Sequence, residues 1–119
     1  MSMKEEITKA IGAHGMWKSR LRSAIDTGKS EWQPDSVAKD NLCDFGKWIY
    51  SLKATPAEAP RAAKVKDLHA KFHVEASRVL KLAQAGQKAA ASQAIAAGSP
   101  FDKLTGELTT ELMNWSKAA

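Results

Sequence analysis

Three histidines and one cysteine are the residues in this chain best suited to chemistry: His14, Cys43, His69 and His73. His69 and His73 are spaced four apart in a stretch that reads as helix, so both rings rise on one face within reach of a single ion. His14 and Cys43 bring the set to four donors, and a tetrahedral group of nitrogen and sulfur atoms is what zinc prefers. Iron, nickel or copper could take the same ligands, because the order of affinities alone does not select zinc. Each residue also has a plainer reading. Two histidines can sit on a helix for packing, and a free cysteine between Leu42 and Phe45 can be a small buried hydrophobe. Ligation is favoured because His14 and Cys43 fall on two earlier helical stretches, each able to bring one donor to the same core level. The chain lacks a His-Glu-x-x-His motif and a paired Cys-x-x-Cys motif, so neither a metalloprotease nor a zinc ribbon is indicated.

Cys43 is the candidate redox-sensing residue. Ligation to zinc would hold its sulfur as a thiolate at neutral pH, and oxidation to a sulfenic acid would weaken the metal bond. An inert zinc thiolate accounts for the same residue equally well. No catalytic residue is assigned. Asp44 and Asp67 are the acids nearest the donors in sequence, and neither stands at a spacing that marks a general base.

The elements that must position these donors are helices. Ala, Leu, Lys, Glu and Gln are plentiful and strand signals nearly absent, which predicts an all-α fold. The first helix is expected from about Met3 to Thr27, with Ile7, Ile11, His14, Leu21 and Ile25 on one stripe and Gly28 as its C-terminal cap. A second, capped by Asp35 or Ser36, carries Leu42, Cys43, Phe45, Trp48, Ile49 and Leu52. Thr55-Pro56-Ala57-Glu58 is a capping-box pattern, but Pro60 places the regular start of the third helix at either proline, with its end at Gly86. A short Ala-rich helix over 87–97 and a last helix after Ser99-Pro100 complete the set. Four long helices and one short one predict an antiparallel four-helix bundle with one additional short helix. Gly12, Gly15 and Gly46, near the ligands, point to close helix approach or to a locally kinked helix. Trp17 and Trp48 are placed to exclude water or simply to pack, and Lys18 and Lys47 to meet a carboxylate such as Asp44 or to reach solvent.

Composition narrows the function classes. With 119 residues the chain is expected to form one domain, 1–119, with a core that needs no disulfide. No apolar run approaches the twenty or so residues of a membrane span, and the start Met-Ser-Met-Lys-Glu-Glu lacks the apolar stretch of a secretory signal. A soluble, cytoplasmic protein is expected, without membrane insertion. The net charge of +5 invites a nucleic-acid reading, but the basic residues are scattered and often stand next to acids, so no nucleic acid is expected as a partner.

The segments His14-Gly-Met-Trp17-Lys18, Leu42-Cys43-Asp44-Phe45-Gly46-Lys47-Trp48-Ile49-Tyr50 and His69-Ala-Lys-Phe72-His73 together resemble the chemoreceptor zinc-binding domain family. The Cys-x-Phe-Gly-Lys-Trp run is the specific part, and the likeness spans nearly the whole chain. The resemblance implies a bacterial helical-bundle domain attached to chemotaxis receptors or diguanylate cyclases. It also implies that His14, Cys43, His69 and His73 hold Zn2+. Members of the family sense zinc or oxidants such as hypochlorous acid through the zinc-bound cysteine, and usually work as homodimers. A non-enzymatic sensory or regulatory domain is therefore the expectation, with receptor or cyclase domains as partners in cis or in trans. A zinc-dependent hydrolase or a purely structural zinc module are the alternatives. A stand-alone member and a fragment of a longer protein remain equally open.

Overall fold

The computed structural model describes residues 2–118 and is helical throughout, with no strand among the described residues. Seven helical segments follow in order: α1 (Met3–Gly15), α2 (Trp17–Thr27), α3 (Pro34–Val37), α4 (Asp44–Ser51), α5 (Ala59–Gln84), α6 (Lys88–Ala94) and α7 (Pro100–Ala118). Helix α5 is the central element and packs against α2, α3, α4, α6 and α7. Its sequence explains this role. Val65, Leu68, His69, Phe72, His73, Ala76, Ser77, Val79, Leu80 and Ala83 are all buried, two adjoining stripes rather than one, so neighbours are needed on more than one side. Helix α1 completes the packing against α7 and α4.

The ends follow the local chemistry. Ser2 caps α1, its side-chain oxygen accepting the Glu5 backbone N–H at 3.1 Å. Gly28, at φ 73°, ends α2 in the left-handed conformation that suits glycine. The Thr55 hydroxyl oxygen accepts the Glu58 N–H and the Glu58 carboxylate accepts the Thr55 N–H, both at 3.3 Å, which is the reciprocal pattern of a capping box. The helix itself begins at Ala59 with Pro60 in its first turn.

Two expected helices are interrupted. The stretch from Met3 to Thr27 breaks at Met16, next to Gly15, where two glycines within one turn lower the preference for helix. The predicted second helix is not continuous through Leu42 and Cys43. It consists of the single turn α3, started by Pro34 rather than by a cap at Asp35 or Ser36, then a loop over 38–43, and then α4. The cause is local: Cys43 adopts extended backbone angles and its sulfur accepts the Gly46 N–H at 3.3 Å, so it caps α4 instead of lying inside it.

On α7, Phe101, Leu108, Leu112 and Trp115 are buried on one face. Leu112→Ala would remove fully buried volume there, remote in sequence from all four donors. A loss of about 2–5 kcal/mol is expected from urea unfolding; a loss below about 1 kcal/mol would mean that α7 is not firmly part of the core.

Candidate metal centre

All four expected residues come together. One ligand atom from each of His14, Cys43, His69 and His73 lies within 4.8 Å of the other three. His14 projects from the last turn of α1, His69 and His73 from the middle of α5, and Cys43 from the start of α4. The three imidazoles are buried and the thiol is half-buried. Their walls are aromatic: Phe45 stands edge-on to His14 and His69, and Phe72 edge-on to His14 and His73.

Hydrogen bonds fix which nitrogens face the centre. His14 Nδ1 lies 2.8 Å from the Ala10 carbonyl and His73 Nδ1 lies 2.9 Å from the Val37 carbonyl. A carbonyl only accepts, so both Nδ1 atoms carry the proton and both Nε2 atoms present lone pairs. This is the usual outer support of a metal-bound histidine. His69 differs, since its Nδ1 is buried without a hydrogen-bond partner. Its Nε2 lies 3.0 Å from His73 Nε2 and 3.3 Å from the Cys43 sulfur, which in turn is 3.7 Å from His73 Nε2.

These distances test the fit of a metal. With the His73 Nε2 lone pair facing another ring nitrogen at 3.0 Å, something positive must lie between them, either a proton on His69 or a cation. Zinc bonds of about 2.0–2.1 Å to nitrogen and 2.3 Å to sulfur set tetrahedral donors about 3.3–3.7 Å apart. The measured 3.0, 3.3 and 3.7 Å are close to that, and the widest pair, at most 4.8 Å, leaves room for the donors to draw inward. Three imidazoles and a thiol fit the group.

Burial dominates the electrostatics. It is the largest cause lowering His14 to about 4 and His69 to about 2, with neighbouring histidines adding to both shifts. Burial lowers His73 as well, opposed by its bond to Val37, and raises the Cys43 thiol against the Gly46 N–H that favours the thiolate. Without a metal the centre therefore holds neutral rings and a protonated thiol at neutral pH, and neutral rings are ready to bind a cation.

The glycines separate clearly. A Cβ on Gly46 would run into the Asp40 carbonyl, so the loop over 38–43 can close onto α4 only because residue 46 lacks a side chain. Gly12 and Gly15 face open space, and the expected close approach does not occur there. Trp17 is buried against Trp32, while Trp48 packs between Phe45 and Trp115, one layer away from the donors. Lys18 and Lys47 are exposed. Asp67 pairs with Lys71 at 3.0 Å on the exposed face of α5 and so faces away from the donors. Sequence reasoning missed the Ala10 and Val37 carbonyls and the cap at Cys43. Only the Ala10 contact, one turn before His14 on the same helix, had a readable spacing.

An all-helical protein with a buried three-histidine, one-cysteine cluster able to hold a metal ion is the class that the fold and the site define. The family model of the chemoreceptor zinc-binding domain matches residues 14–80, from His14 to just past His73, and the chain belongs to that family. The family's description makes zinc the metal concerned. No curated protein and no solved structure matches the chain. Among the described residues no helix is long and apolar enough to cross a membrane.

Two measurements test this construction. Gly46→Ala should weaken zinc binding by roughly 10–100-fold while helix content stays the same, whereas Gly12→Ala, in open space, should leave zinc binding unchanged. Equal zinc affinity in both variants would separate Gly46 from the site. The second is the stability of the metal-free protein against pH. Unfolded histidines titrate near 6.5, while the folded state refuses protons down to about 4 at His14 and about 2 at His69. Their contribution to stability is therefore complete above 6.5 and is lost as pH falls through the window below it, with a slope of up to about 1.4 kcal/mol per pH unit for each ring. Urea midpoints should drop between pH 7 and pH 5; an unchanged midpoint would mean the rings are already solvated.

Proposed function

We propose that this chain is a zinc-holding sensory or regulatory domain of bacterial signalling, of the chemotaxis-receptor or diguanylate-cyclase type, in which His14, Cys43, His69 and His73 bind one Zn2+. The observation that carries the reading is the convergence of four donor atoms within 4.8 Å, with two rings already turned by backbone carbonyls to present Nε2. Zinc, when bound, would hold the Cys43 sulfur deprotonated and neutralise the crowding of lone pairs.

Cys43 is the reporting residue in this reading. Its sulfur is the half-buried member of the set, while the three rings are buried. With hypochlorous acid as oxidant, the thiolate sulfur takes the chlorine and releases hydroxide. Water then replaces chloride at the sulfur, leaving a sulfenic acid, a chloride ion and a proton. Two electrons leave the sulfur for the chlorine. A sulfenic acid is a poorer donor than a thiolate, so the start of α4 loses its hold on His69 and His73. Phe45 and Trp48 on α4 carry the change to α5 and to Trp115 of α7.

The chain acts as one domain over 1–119. Helices α1 and α2 count as one interrupted member of an antiparallel bundle with α5, α7 and the α3–α4 segment, and α6 is the additional short helix. It works in the cytoplasm as a homodimer and passes its state to a receptor or cyclase domain in cis or in trans. A hydrolase would keep an open metal position, but the centre offers four protein donors.

The test is the metal content of the purified protein, followed by titration with hypochlorous acid while zinc release and Cys43 oxidation are both monitored. One zinc per chain, released in step with oxidation, is expected. Cys43→Ala should retain zinc at least about tenfold more weakly and lose the response. Zinc that stays bound while Cys43 oxidises would reject oxidant sensing, and unchanged affinity in Cys43→Ala would reject the ligand assignment.

A further inference from the structure

A cleft of about 400 Å3 opens over the donor cluster, and His14, Cys43 and His73 are among the residues that line it. His69, fully buried, does not line it. Three of the four donors can thus be reached through this cleft. A cavity of this volume is in the range used for small molecules. Its lining includes the apolar side chains of Val37, Leu42 and Phe45 together with charged ones. Arg20 and Lys39 lie among the lining residues with the carboxylates of Glu6 and Asp44.

Arg20 is the unusual member. Its guanidinium carbon stands 5.1 Å from the centre of the Trp17 ring and 4.7 Å from that of Trp32. The Trp17 ring is buried, so this cation is held in place rather than left to wander in solvent. A guanidinium that lies face-on to a ring keeps the N–H groups along its edge available. Among the described residues Arg20 makes no ion pair, and no hydrogen bond involves its guanidinium. Unused guanidinium donors in a cleft that also has apolar lining are what a carboxylate on an apolar body requires, because the guanidinium edge can take both carboxylate oxygens at once.

We propose that this cleft binds a small organic carboxylate, with the carboxylate received by Arg20 and the apolar body laid against Val37, Leu42 and Phe45. The inference goes beyond the zinc reading, since none of these four residues is a donor to the centre. Because Cys43 lies in the same cleft, an occupant would also cover the sulfur from solvent.

The test is calorimetric titration of the full chain with benzoate, and with benzamide as a neutral molecule of nearly the same shape, at fixed ionic strength. Benzoate is expected to bind saturably, one per chain, and at least about tenfold more tightly than benzamide. Arg20→Gln should abolish that preference and Arg20→Lys should restore it only in part, because a point charge cannot grip both oxygens. Equal binding of the two molecules, or no saturable binding of benzoate, would overturn the proposal. So would an Arg20→Gln protein that keeps the preference, since the carboxylate would then sit on a metal or elsewhere. The benzamide comparison in the native chain stands even if Arg20→Gln fails to fold. Zinc content of the same samples separates the two readings: a chain without zinc that still prefers benzoate would retain this site and lose the metal centre.

Discussion

Burying three imidazoles in a helical core is the constraint to which the rest of the arrangement answers. In such a place a charged ring is expensive, so the rings stay neutral, and a neutral imidazole has one N–H to donate and one lone pair to aim. His14 and His73 spend the N–H on backbone carbonyls, and the lone pairs then have nowhere to go but inward. The same low polarity that would penalise an unpaired charge makes a shared cation between the rings strongly favourable. Central α5 answers the constraint by carrying two of the rings among ten buried positions.

Cys43 shows how a loop can be made to serve as precisely placed structure without being helical. The six residues from Ala38 to Cys43 are held at both ends by α5, because the Val37 carbonyl takes a bond from His73 and the Cys43 sulfur meets His69 and His73. Ser77 adds a third tie, its hydroxyl donating to the Pro34 carbonyl at 2.8 Å. Outside, the Tyr50 hydroxyl donates to the Asp40 carboxylate, and Lys66 rests on the Tyr50 ring at 3.9 Å. The Tyr50–Asp40 bond joins α4 to the loop, a close approach that the bare backbone of Gly46 permits.

The donors were readable in the sequence because rare residue types and a four-residue spacing carry their own meaning, and helix type was readable from composition and glycine or proline punctuation. Gly28, Gly86 and Gly98 all stand at positive φ after helical stretches, as their places in the sequence imply. What was not readable depended on contacts distant in sequence or on competing local bonds. The apolar pattern from Leu42 to Leu52 has helical periodicity, yet the sulfur of Cys43 bonds a backbone N–H three residues on and starts the helix at its own position. Nothing near Val37 announces that its carbonyl will meet a ring thirty-six residues later. The Gly46 and Gly12 positions look alike in sequence and differ only in what faces them in space.

The four tryptophans form two pairs. Trp17 and Trp32 lie 5.5 Å apart beside the cleft, while Trp48 and Trp115 lie 5.7 Å apart where α4 meets α7. The indole N–H of Trp115 is buried with no hydrogen-bond partner, so that ring sits in an environment of low polarity. The protein thus carries two built-in optical reporters, one near the mouth of the site and one at the joint beyond it. Movement of α4 against α7 would bear on the second pair and an occupant of the cleft on the first, and replacing one pair by phenylalanine would leave the other to report alone.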